Sequence, residues 1–421
     1  MKATASASLS PPLRSTSEEL GFFGRLLIHQ LNNIKLGLLE LHIEGSVHSF
    51  GQINSPTTAR IEVNDSSFFR KACLGGSLGV ADSYAAGDWE TDDLVGVFRL
   101  FLQNLEVMDG LEGGWAAVLN KVARWAYLIT QKNTVKGSRR NIALHYDLGN
   151  DFYQRMLDPT MTYSCGIFAH EETTLEEASL AKYDRIIEQL EIRDGQTVLE
   201  IGCGWGGFAK RLLETTQAKW TGTTISQQQY NYAKEIIEQG GWQDRATLLQ
   251  KDYRNLQGSY DRIVSIEMIE AVGHEYLPTY FSKISDLLAT NGAALVQAIT
   301  MPDHRYDQYL KEVDYIRTRV FPGSCVPSIS AMISAVAKKS DLRPTGIDDI
   351  GYHYARTLRE WRLRFLENEE EIKKLGYDDS FRRAWIYYLC YCEAGFEEGY
   401  TGDIHLLLTK PQSRVGKGFP Q

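Results

Sequence analysis

The chain has 421 residues, enough for two domains with separate cores. Hydrophobic residues make up 43% of it, charged residues 24%, and the formal net charge is −9, so general nucleic-acid binding is not expected. The six cysteines lack the spacing of a zinc site, which predicts free thiols in a reducing cytosol and no bound metal. The N-terminus does not resemble a signal peptide, and no apolar run reaches about 18 residues, so we expect a cytoplasmic protein whose membrane contact is peripheral.

The N-terminal part predicts a disordered tail and a small α+β domain. Residues 1–16 are rich in Ser, Ala and Pro, which is typical of disorder. Apolar residues at helical spacing predict a helix from Glu18 to about Ile34, "LLELHIEGSVHSFG" predicts a strand and hairpin, and "TARIEVND" a further strand. The stretch "SYAAGDWETDDLVGVFRLFLQNL" predicts a turn followed by a helix. We assign residues 17–125 to this domain.

A basic segment separates the two predicted domains. Residues 121–140 contain six basic and no acidic side chains, although the chain as a whole is acidic. This pattern favours contact with anionic lipid head groups, where each exposed base contributes about 1 kcal/mol. The alternative, which the sequence leaves open, is a packing helix followed by a solvated linker. We define residues 126–140 as the basic linker.

From about residue 141 the pattern changes to strands that alternate with helices. This alternation predicts an α/β domain, residues 141–421, with a parallel, doubly wound sheet. The stretch "TGDIHLLLTKP" near the C-terminus predicts a last edge strand. The block 302–398 is rich in Tyr, Trp and Phe and is predicted to be mostly helical.

The stretch "LEIGCGWGGF" at 199–208 fits the dinucleotide fingerprint G-x-G-x-x-G through Gly202, Gly204 and Gly207. An NAD site would need an acidic residue about 20 residues further on, to hold the ribose. That place is occupied by "TGTTISQQQ", which contains no acid. The motif therefore favours a cofactor other than NAD.

The pattern V-L-E-I-G-C-G-x-G, with Glu200 just inside it, resembles the first motif of class I methyltransferases that use S-adenosylmethionine. Four further stretches make the resemblance narrower: "LHYDLGNDFYQRMLDPTMTYSCGIF" (144–168), "TTISQQQ" (223–229), "IVSIEMIEAVGHEYLPTYF" (263–281) and "VFPGSCVPS" (320–328). In order and spacing they are similar to the cyclopropane-fatty-acid synthase family. The resemblance covers roughly residues 141–410 and implies a Rossmann-like, seven-stranded sheet with a helical insertion.

The resemblance also implies the residues that hold S-adenosylmethionine. It places hydroxyl groups above the methionine end of the cofactor, glycines beneath it, and an aromatic ring beside the adenine. The implied cofactor-binding residues are Tyr146, Tyr163, Ser164, Glu200, Gly202, Gly204, Thr224, Ile225, Gln229 and Tyr253. Taken singly, Tyr163 or Tyr253 is more often a core aromatic residue than a ligand.

The chemistry implied by the family needs a base as well as a methyl donor. Attack of an alkene on the sulfonium methyl leaves a carbocation, and a ring closes only when a base removes a proton from the new methyl group. The family uses a bound bicarbonate ion as that base. The matching residues here are Cys165, Glu270, Gln297, Ile299 and Tyr388, with His274 nearby. Many bacterial members carry His where this chain has Gln297, which cannot titrate.

These resemblances predict an enzyme that transfers a methylene group to the cis double bond of an unsaturated phospholipid in an anionic bilayer. The 17–125 domain is expected to dock on the lipid at the inner face of the membrane, and the block 302–398 to bind the acyl chain. A fatty-acyl methyltransferase that forms a methyl or methylene branch is the nearest alternative. A small-amine N-methyltransferase and a non-catalytic lipid carrier are weaker ones, and the sequence leaves a homodimer open.

Overall fold

The computed structural model of the chain describes residues 20–107 and 148–416. The chain divides into two compact units, Met1–Ala116 and Ala117–Gln421. The predicted disordered tail and the basic linker lie outside the described residues, as does Tyr146. Within the described ranges no helix is both long and apolar enough to cross a membrane.

The first unit is a four-stranded sheet with helices Phe22–Leu31, Ser67–Ala86 and Leu94–Gln103. Its strands, in the spatial order β2-β1-β3-β4, are β1 (Leu38–Ile43), β2 (Ser46–Gly51), β3 (Thr58–Val63) and β4 (Trp89–Glu90). The predicted hairpin is confirmed, because β1 and β2 pair antiparallel. Strand β1 alternates half-buried and buried residues, so one face of the sheet covers the core.

The helix Ser67–Ala86 corrects the prediction of a turn at "SYAAGDW". Residues 83–86 form the end of this helix, and Gly87, in the left-handed conformation, ends it. The sequence signal was weak because three glycines lower the helix propensity of this segment. One of them, Gly76, has φ 56°, and the chain kinks there. A Cβ at Gly79 would lie 1.9 Å from the Lys71 carbonyl oxygen, so glycine is needed for this close packing.

The second unit is built on a seven-stranded sheet in the order β10-β11-β9-β8-β5-β6-β7. The strands are β5 (Thr197–Ile201), β6 (Lys219–Thr223), β7 (Ala246–Leu249), β8 (Tyr260–Ile266), β9 (Leu288–Thr300), β10 (Arg343–Asp349) and β11 (Gly402–Thr409). Strands β5 to β9 run parallel, which confirms the predicted α/β class.

Two parts of the predicted sheet are wrong. Strand β11, expected at the edge, lies between β9 and β10 and pairs antiparallel with both. The edge strand is instead β10, which lies inside the block predicted to be helical. The position of β11 at the end of the domain suggested an edge strand, but six of the seven residues after Gly402 are buried, as expected for an interior strand. Because the residues of strand β10 are mostly exposed and polar, they lack the apolar pattern from which a strand is predicted.

Helices cover both faces of this sheet. They are Asn150–Met156, Leu175–Gln189, Gly207–Thr215, Gln227–Gln239, Leu277–Leu287, Asp303–Tyr309, Ile329–Lys339, Tyr354–Glu367, Glu369–Lys374 and Asp379–Glu397. Neighbouring residues of β5 point to opposite faces: Leu199 belongs to the core beneath Leu277–Leu287, and Val198 to the core beneath Gly207–Thr215. The strand order reverses between β5 and β8, and ligands of such sheets bind at the carboxyl ends of the strands beside this point.

Candidate active site

The glycine loop follows β5 at the point where the strand order reverses. Gly202 and Gly204 have φ angles of 81° and 52°, which side-chain-bearing residues rarely adopt. A Cβ at Gly204 would have no protein atom within 4 Å, so the backbone borders open space there. A Cβ at Gly202 would come within 2.7 Å of the Met268 side chain, which brings the segment after β8 against this loop. The open cradle at Gly204 fits a ligand held against the backbone.

The Glu200 side chain is buried and is hydrogen-bonded to a residue of β6. Its Oε2 accepts a hydrogen bond of 2.8 Å from the indole N–H of Trp220. Burial raises the pKa of Glu200 to about 8. Near neutral pH the side chain is therefore largely protonated, so it can donate a hydrogen bond as well as accept one.

The segment after β6 presents a hydroxyl and an amide side by side. The Thr224 hydroxyl donates to Gln229 Oε1 at 2.9 Å, and both side chains are buried. Ser226 between them caps the helix Gln227–Gln239, while Ile225 is half-buried. These polar groups lie at the carboxyl end of the second parallel strand, where the predicted ribose contacts fall.

Tyr253 lies in a short 3-10 helix, Tyr253–Asn255, shortly after β7. Its ring packs edge-on against Tyr280 at 5.5 Å, and burial raises its pKa to about 12. Asp252 beside it is buried and accepts hydrogen bonds from the Arg254 guanidinium. This segment therefore supplies an aromatic ring and a fixed carboxylate near the ends of the strands.

Tyr163 and Tyr388 come from distant parts of the chain and meet. Their hydroxyl oxygens lie 2.9 Å apart. The Tyr163 ring also packs 5.0 Å from Trp361, and the Tyr388 ring 6.1 Å from Phe321. The helical block thus contributes an aromatic wall beside Tyr163.

Ser164 and Lys182 form a pair that the sequence did not predict. Both are buried, and the Lys182 ammonium donates to the Ser164 hydroxyl oxygen. Burial lowers the pKa of Lys182, and the charge of Glu267 opposes that shift. Lys182 lies on the helix Leu175–Gln189 among ordinary helix formers, so its spacing gave no signal.

The predicted anion-site residues lie at the ends of β8 and β9. Glu270, in the 3-10 helix Ile269–Ala271 rather than at a strand end, accepts a 2.7 Å hydrogen bond from the Ile299 N–H through Oε1. Its Oε2 is buried and has no hydrogen-bond partner within the described ranges. Burial, followed by the charge of Glu267, raises the pKa of Glu270 to about 8.

Glu267 is the central residue of this group, and the sequence analysis missed it. Its Oε1 accepts hydrogen bonds of 2.8 Å from the Cys165 N–H and 2.8 Å from the Gln297 amide. Its Oε2 accepts a hydrogen bond from the Tyr354 hydroxyl. The available signal was an acidic residue directly after a buried strand, at the start of "EMIEAVGHE", but its partners are spread from residue 165 to residue 354.

Gln297 connects Glu267 to a further buried carboxyl group. Its amide nitrogen donates to Glu267 and, at 2.8 Å, to Asp403 Oδ2 on β11. Burial, followed by the charge of Glu267, holds the pKa of Asp403 well above its usual range. The structure therefore brings Cys165, Glu270, Gln297 and Ile299 together. The Tyr388 hydroxyl is hydrogen-bonded to Tyr163; burial raises its pKa, and it is close enough to this group for the charge of Glu267 to raise that pKa further. His274 is hydrogen-bonded to Tyr306.

The comparisons with known proteins identify the family. The profile of the Mycolic acid cyclopropane synthetase family matches residues 133–406. The chain belongs to this family. It is 35% identical to the tuberculostearic acid methyltransferase UfaA1 of Mycobacterium tuberculosis over 332 residues, and the aligned residues make up 77% of each chain. It is also 35% identical over 353 residues to the cyclopropane-fatty-acyl-phospholipid synthase of Escherichia coli K12, covering 82% of this chain and 86% of that one.

Solved structures agree with this membership. The mycolic acid cyclopropane synthase CmaA1, complexed with SAH and CTAB, superposes with a TM-score of 0.61 at 30% identity and covers 65% of this chain and 98% of its own. Coclaurine N-methyltransferase matches at 21% identity and a TM-score of 0.61, which supports the fold alone. The present chain is an S-adenosylmethionine-dependent methyltransferase of this family.

Bicarbonate, which the family resemblance implies, does not fit the contacts in this chain. The Cys165 and Ile299 amides already donate to Glu267 and Glu270, and the Gln297 amide donates to two carboxyl groups. An added anion would also lie beside the Glu267 carboxylate, and like charges repel. The N–H donors of Cys165, Ile299 and Gln297, which the resemblance assigns to the bicarbonate ion, are therefore used by carboxyl groups of the protein itself.

Proposed function

We propose that this methyltransferase transfers a one-carbon unit from S-adenosylmethionine to the cis double bond of an unsaturated phospholipid acyl chain and forms a cyclopropane ring. The observation that carries the proposal is the position of the aromatic wall. The Tyr163 ring packs against Trp361 and Phe321. It also packs against Tyr153, whose ring lies 4.9 Å from Trp205 of the glycine loop. An apolar wall beside a cofactor cradle suits a hydrocarbon chain better than a polar substrate.

The chain's own residues supply binding and orientation in this proposal. Gly202 and Gly204 let the backbone approach the cofactor, and the Thr224 and Gln229 pair offers hydrogen bonds to ribose hydroxyls. When bound, S-adenosylmethionine supplies an electrophilic methyl group. The aromatic faces of Tyr163 and Trp361 are suited to a neighbouring cation, because a positive charge is attracted to a ring face.

A methyl or methylene branch remains the second candidate product. The specific observation that favours it is the 35% identity to a tuberculostearic acid methyltransferase over 77% of the chain. Both products begin with methyl transfer to the alkene. They differ in whether the proton loss closes a ring or leaves a carbon–carbon double bond.

Mass spectrometry of the lipid product tests both. The purified chain and S-adenosylmethionine are incubated with vesicles of dioleoyl-phosphatidylglycerol, and with vesicles of a saturated phosphatidylglycerol as a control. We expect acyl chains heavier by one CH2 unit from the unsaturated lipid only. Mild hydrogenation then adds hydrogen to a methylene branch, or to a methyl branch that keeps a double bond, and leaves a ring unchanged; fragmentation locates the added carbon. No modified acyl chain would contradict the proposed function.

We also propose that the first unit docks on an anionic bilayer. Phe22 and Leu26, four residues apart on one helix, are 68% and 38% exposed. Apolar side chains on the same helix face can enter the interfacial region of a bilayer. The basic linker adds Lys132, Lys136, Arg139 and Arg140 to this proposal.

Sedimentation with anionic vesicles tests the docking. Reversing those four bases to Glu should weaken vesicle binding at low salt, where screening is least. Phe22→Ser with Leu26→Ser should weaken it at high salt as well, because apolar insertion is not screened. Unchanged sedimentation of both variants would leave the linker and the helix without a role in membrane contact.

A further inference from the structure

We propose that the Glu267 carboxylate is the general base that removes a proton from the transferred methyl group, in place of a bound bicarbonate ion. This inference rests on the proposed function, since it concerns the proton that both candidate products must lose.

The first argument is the position of Glu267. It directly follows β8, at the strand end beside the glycine loop. The next residue, Met268, packs so closely on the loop that a Cβ at Gly202 would come within 2.7 Å of its side chain. Glu267 is also only half-buried, so its side chain borders accessible space at this end of the sheet.

The second argument is the set of donors that Glu267 occupies. The Cys165 N–H and the Gln297 amide belong to the residues that match the family's anion site, and both donate to Glu267 Oε1 at 2.8 Å. A covalently attached carboxylate thus lies where the family resemblance places a free anion. Both ions are oxygen bases of one negative charge, so the same donors suit either.

The third argument is backbone strain. Glu267 has a φ angle of 47°, a left-handed conformation that costs about 1 kcal/mol or more for a residue other than glycine. Such strain persists only when surrounding contacts fix the residue, and it is concentrated at functional sites. Three hydrogen bonds from three separate segments fix this side chain.

The fourth argument is charge. Burial raises the pKa of Glu267, and the charge of Lys182 and the hydrogen bonds from Tyr354 and the Cys165 N–H oppose that rise. Burial and the charge of Glu267 hold the pKa of the neighbouring Asp403 well above its usual range. Glu270, the other carboxyl group at this place, has a pKa of about 8 and is mostly protonated at pH 7. Of the two glutamates, Glu267 is the one whose carboxylate form three donors stabilise, whereas Glu270 accepts one hydrogen bond, from Ile299.

The proton balance of the step is simple. After the methyl group has been transferred, one of its C–H bonds breaks. The electron pair of that bond forms the new carbon–carbon bond to the cationic carbon, and the proton passes to a Glu267 oxygen. No oxidant, reductant or added ion is consumed. Loss of the same proton after a hydride shift would give a methylene branch.

The first experiment uses the unchanged protein. Methyl transfer to dioleoyl-phosphatidylglycerol vesicles is measured in buffer freed of carbon dioxide and again with added bicarbonate. We expect equal turnover in both. Carbon-13 NMR of labelled bicarbonate should show no saturable binding to the wild type with bound S-adenosylhomocysteine, a readout that does not depend on activity.

Variants at position 267 provide the second experiment. Glu267→Gly suits the left-handed backbone and frees the donors, so turnover should fall about 10²–10⁴-fold and be partly restored by bicarbonate. In Glu267→Gln, turnover should fall by the same factor and added bicarbonate should not restore it, because the glutamine side chain still occupies the space where bicarbonate would bind. Glu275→Gln, an exposed glutamate in the neighbouring 3-10 helix, is the matched control and should retain full turnover.

The possible outcomes separate the two proposals. A wild type that modifies acyl chains but loses turnover without bicarbonate, or binds it saturably, overturns the role of Glu267 alone. A fully active Glu267→Gln variant does the same. A wild type that modifies no acyl chain under any condition overturns the proposed function, and the role of Glu267 with it.

Discussion

The two sides of the strand-order reversal differ in how they build a site. On the β5–β6–β7 side, the groups come from short segments directly after each strand, and their main contacts are local: Thr224 to Gln229, and Asp252 to Arg254. On the β8–β9 side, Glu267 binds groups from three distant segments, and Asp403 joins from β11. The first side borders open space at Gly204, and the second is a network of buried and half-buried carboxyl groups joined by long-range hydrogen bonds. Substitutions should therefore affect binding on one side and both folding and chemistry on the other.

The largest effect on stability is expected at Lys182. Lys182→Met removes a buried ammonium whose charge favours the ionised form of Glu267. Removing one partner of a buried pair costs about 3–5 kcal/mol in the free energy of unfolding. Urea denaturation measures it. The double variant Lys182→Met with Glu267→Gln removes both charges and should recover much of the loss, whereas equal losses in the single and double variants would show that packing alone is responsible.

Gly204→Val changes the loop after β5, on the other side of the strand-order reversal, and should weaken binding of the cofactor. Its side chain would enter the open space beside the loop, and overpacking costs about 1–3 kcal/mol, or roughly a 5- to 150-fold loss of affinity. Calorimetric titration with S-adenosylhomocysteine measures it, with a thermal melt to exclude unfolding. Gly346→Val, on the edge strand β10 where only ordinary contacts arise, is the control. Unchanged affinity would place the cofactor elsewhere.

Tyr163→Phe tests the hydroxyl contact between Tyr163 and Tyr388, and we expect a smaller effect on stability. The substitution removes one hydroxyl of the 2.9 Å pair with Tyr388. One hydrogen bond contributes about 0.5–1.5 kcal/mol to stability. Urea denaturation should show a loss of that size. Tyr232→Phe, on the helix Gln227–Gln239, should change stability by less, and equal losses would remove any special role of the Tyr163 hydroxyl.

A further prediction concerns the dependence of stability on pH. Burial raises the pKa of Glu200 and Glu270 to about 8, so between about pH 5 and pH 8 the folded chain holds protons that the unfolded chain releases. Stability from these groups is complete below their unfolded pKa and is lost as the pH rises through about 8. Melting temperature should fall over this range, and Glu270→Gln should flatten the slope. A slope that is the same in the variant would contradict the raised pKa of Glu270.

The part of the site on the β5–β6–β7 side could be predicted from the sequence. Glycines at fixed spacing after a buried strand, and the missing acid after β6, indicate the cofactor loop because both are properties of short segments. The alternation of strands and helices likewise gave the α/β class. The predicted residues Cys165, Glu270, Gln297 and Ile299 came from the family resemblance, and the structure brings them together.

The part of the site on the β8–β9 side could not be predicted in this way, because its contacts join distant segments of the chain. Glu267 and Lys182 matter because of partners far away in the chain, and Asp403 reaches the site only because β11 lies next to β9. No periodicity of the sequence specifies that an antiparallel strand inserts between two others. The edge strand β10 was missed for the same reason, since polar residues with one bulge carry little strand signal.

The insertion of β11 has a consequence for the order of events during synthesis. Strand β10 leaves the ribosome before β11, yet its place in the sheet is against β11 and not against β9. At about 5–20 residues per second, the nascent chain therefore spends several seconds with β10 lacking its neighbour and with one side of β9 exposed. Unpaired strand edges of this kind invite pairing with other chains. Asp403, which accepts a hydrogen bond from Gln297, is part of the same strand, so the hydrogen-bond network around Glu267 is completed among the last contacts to form.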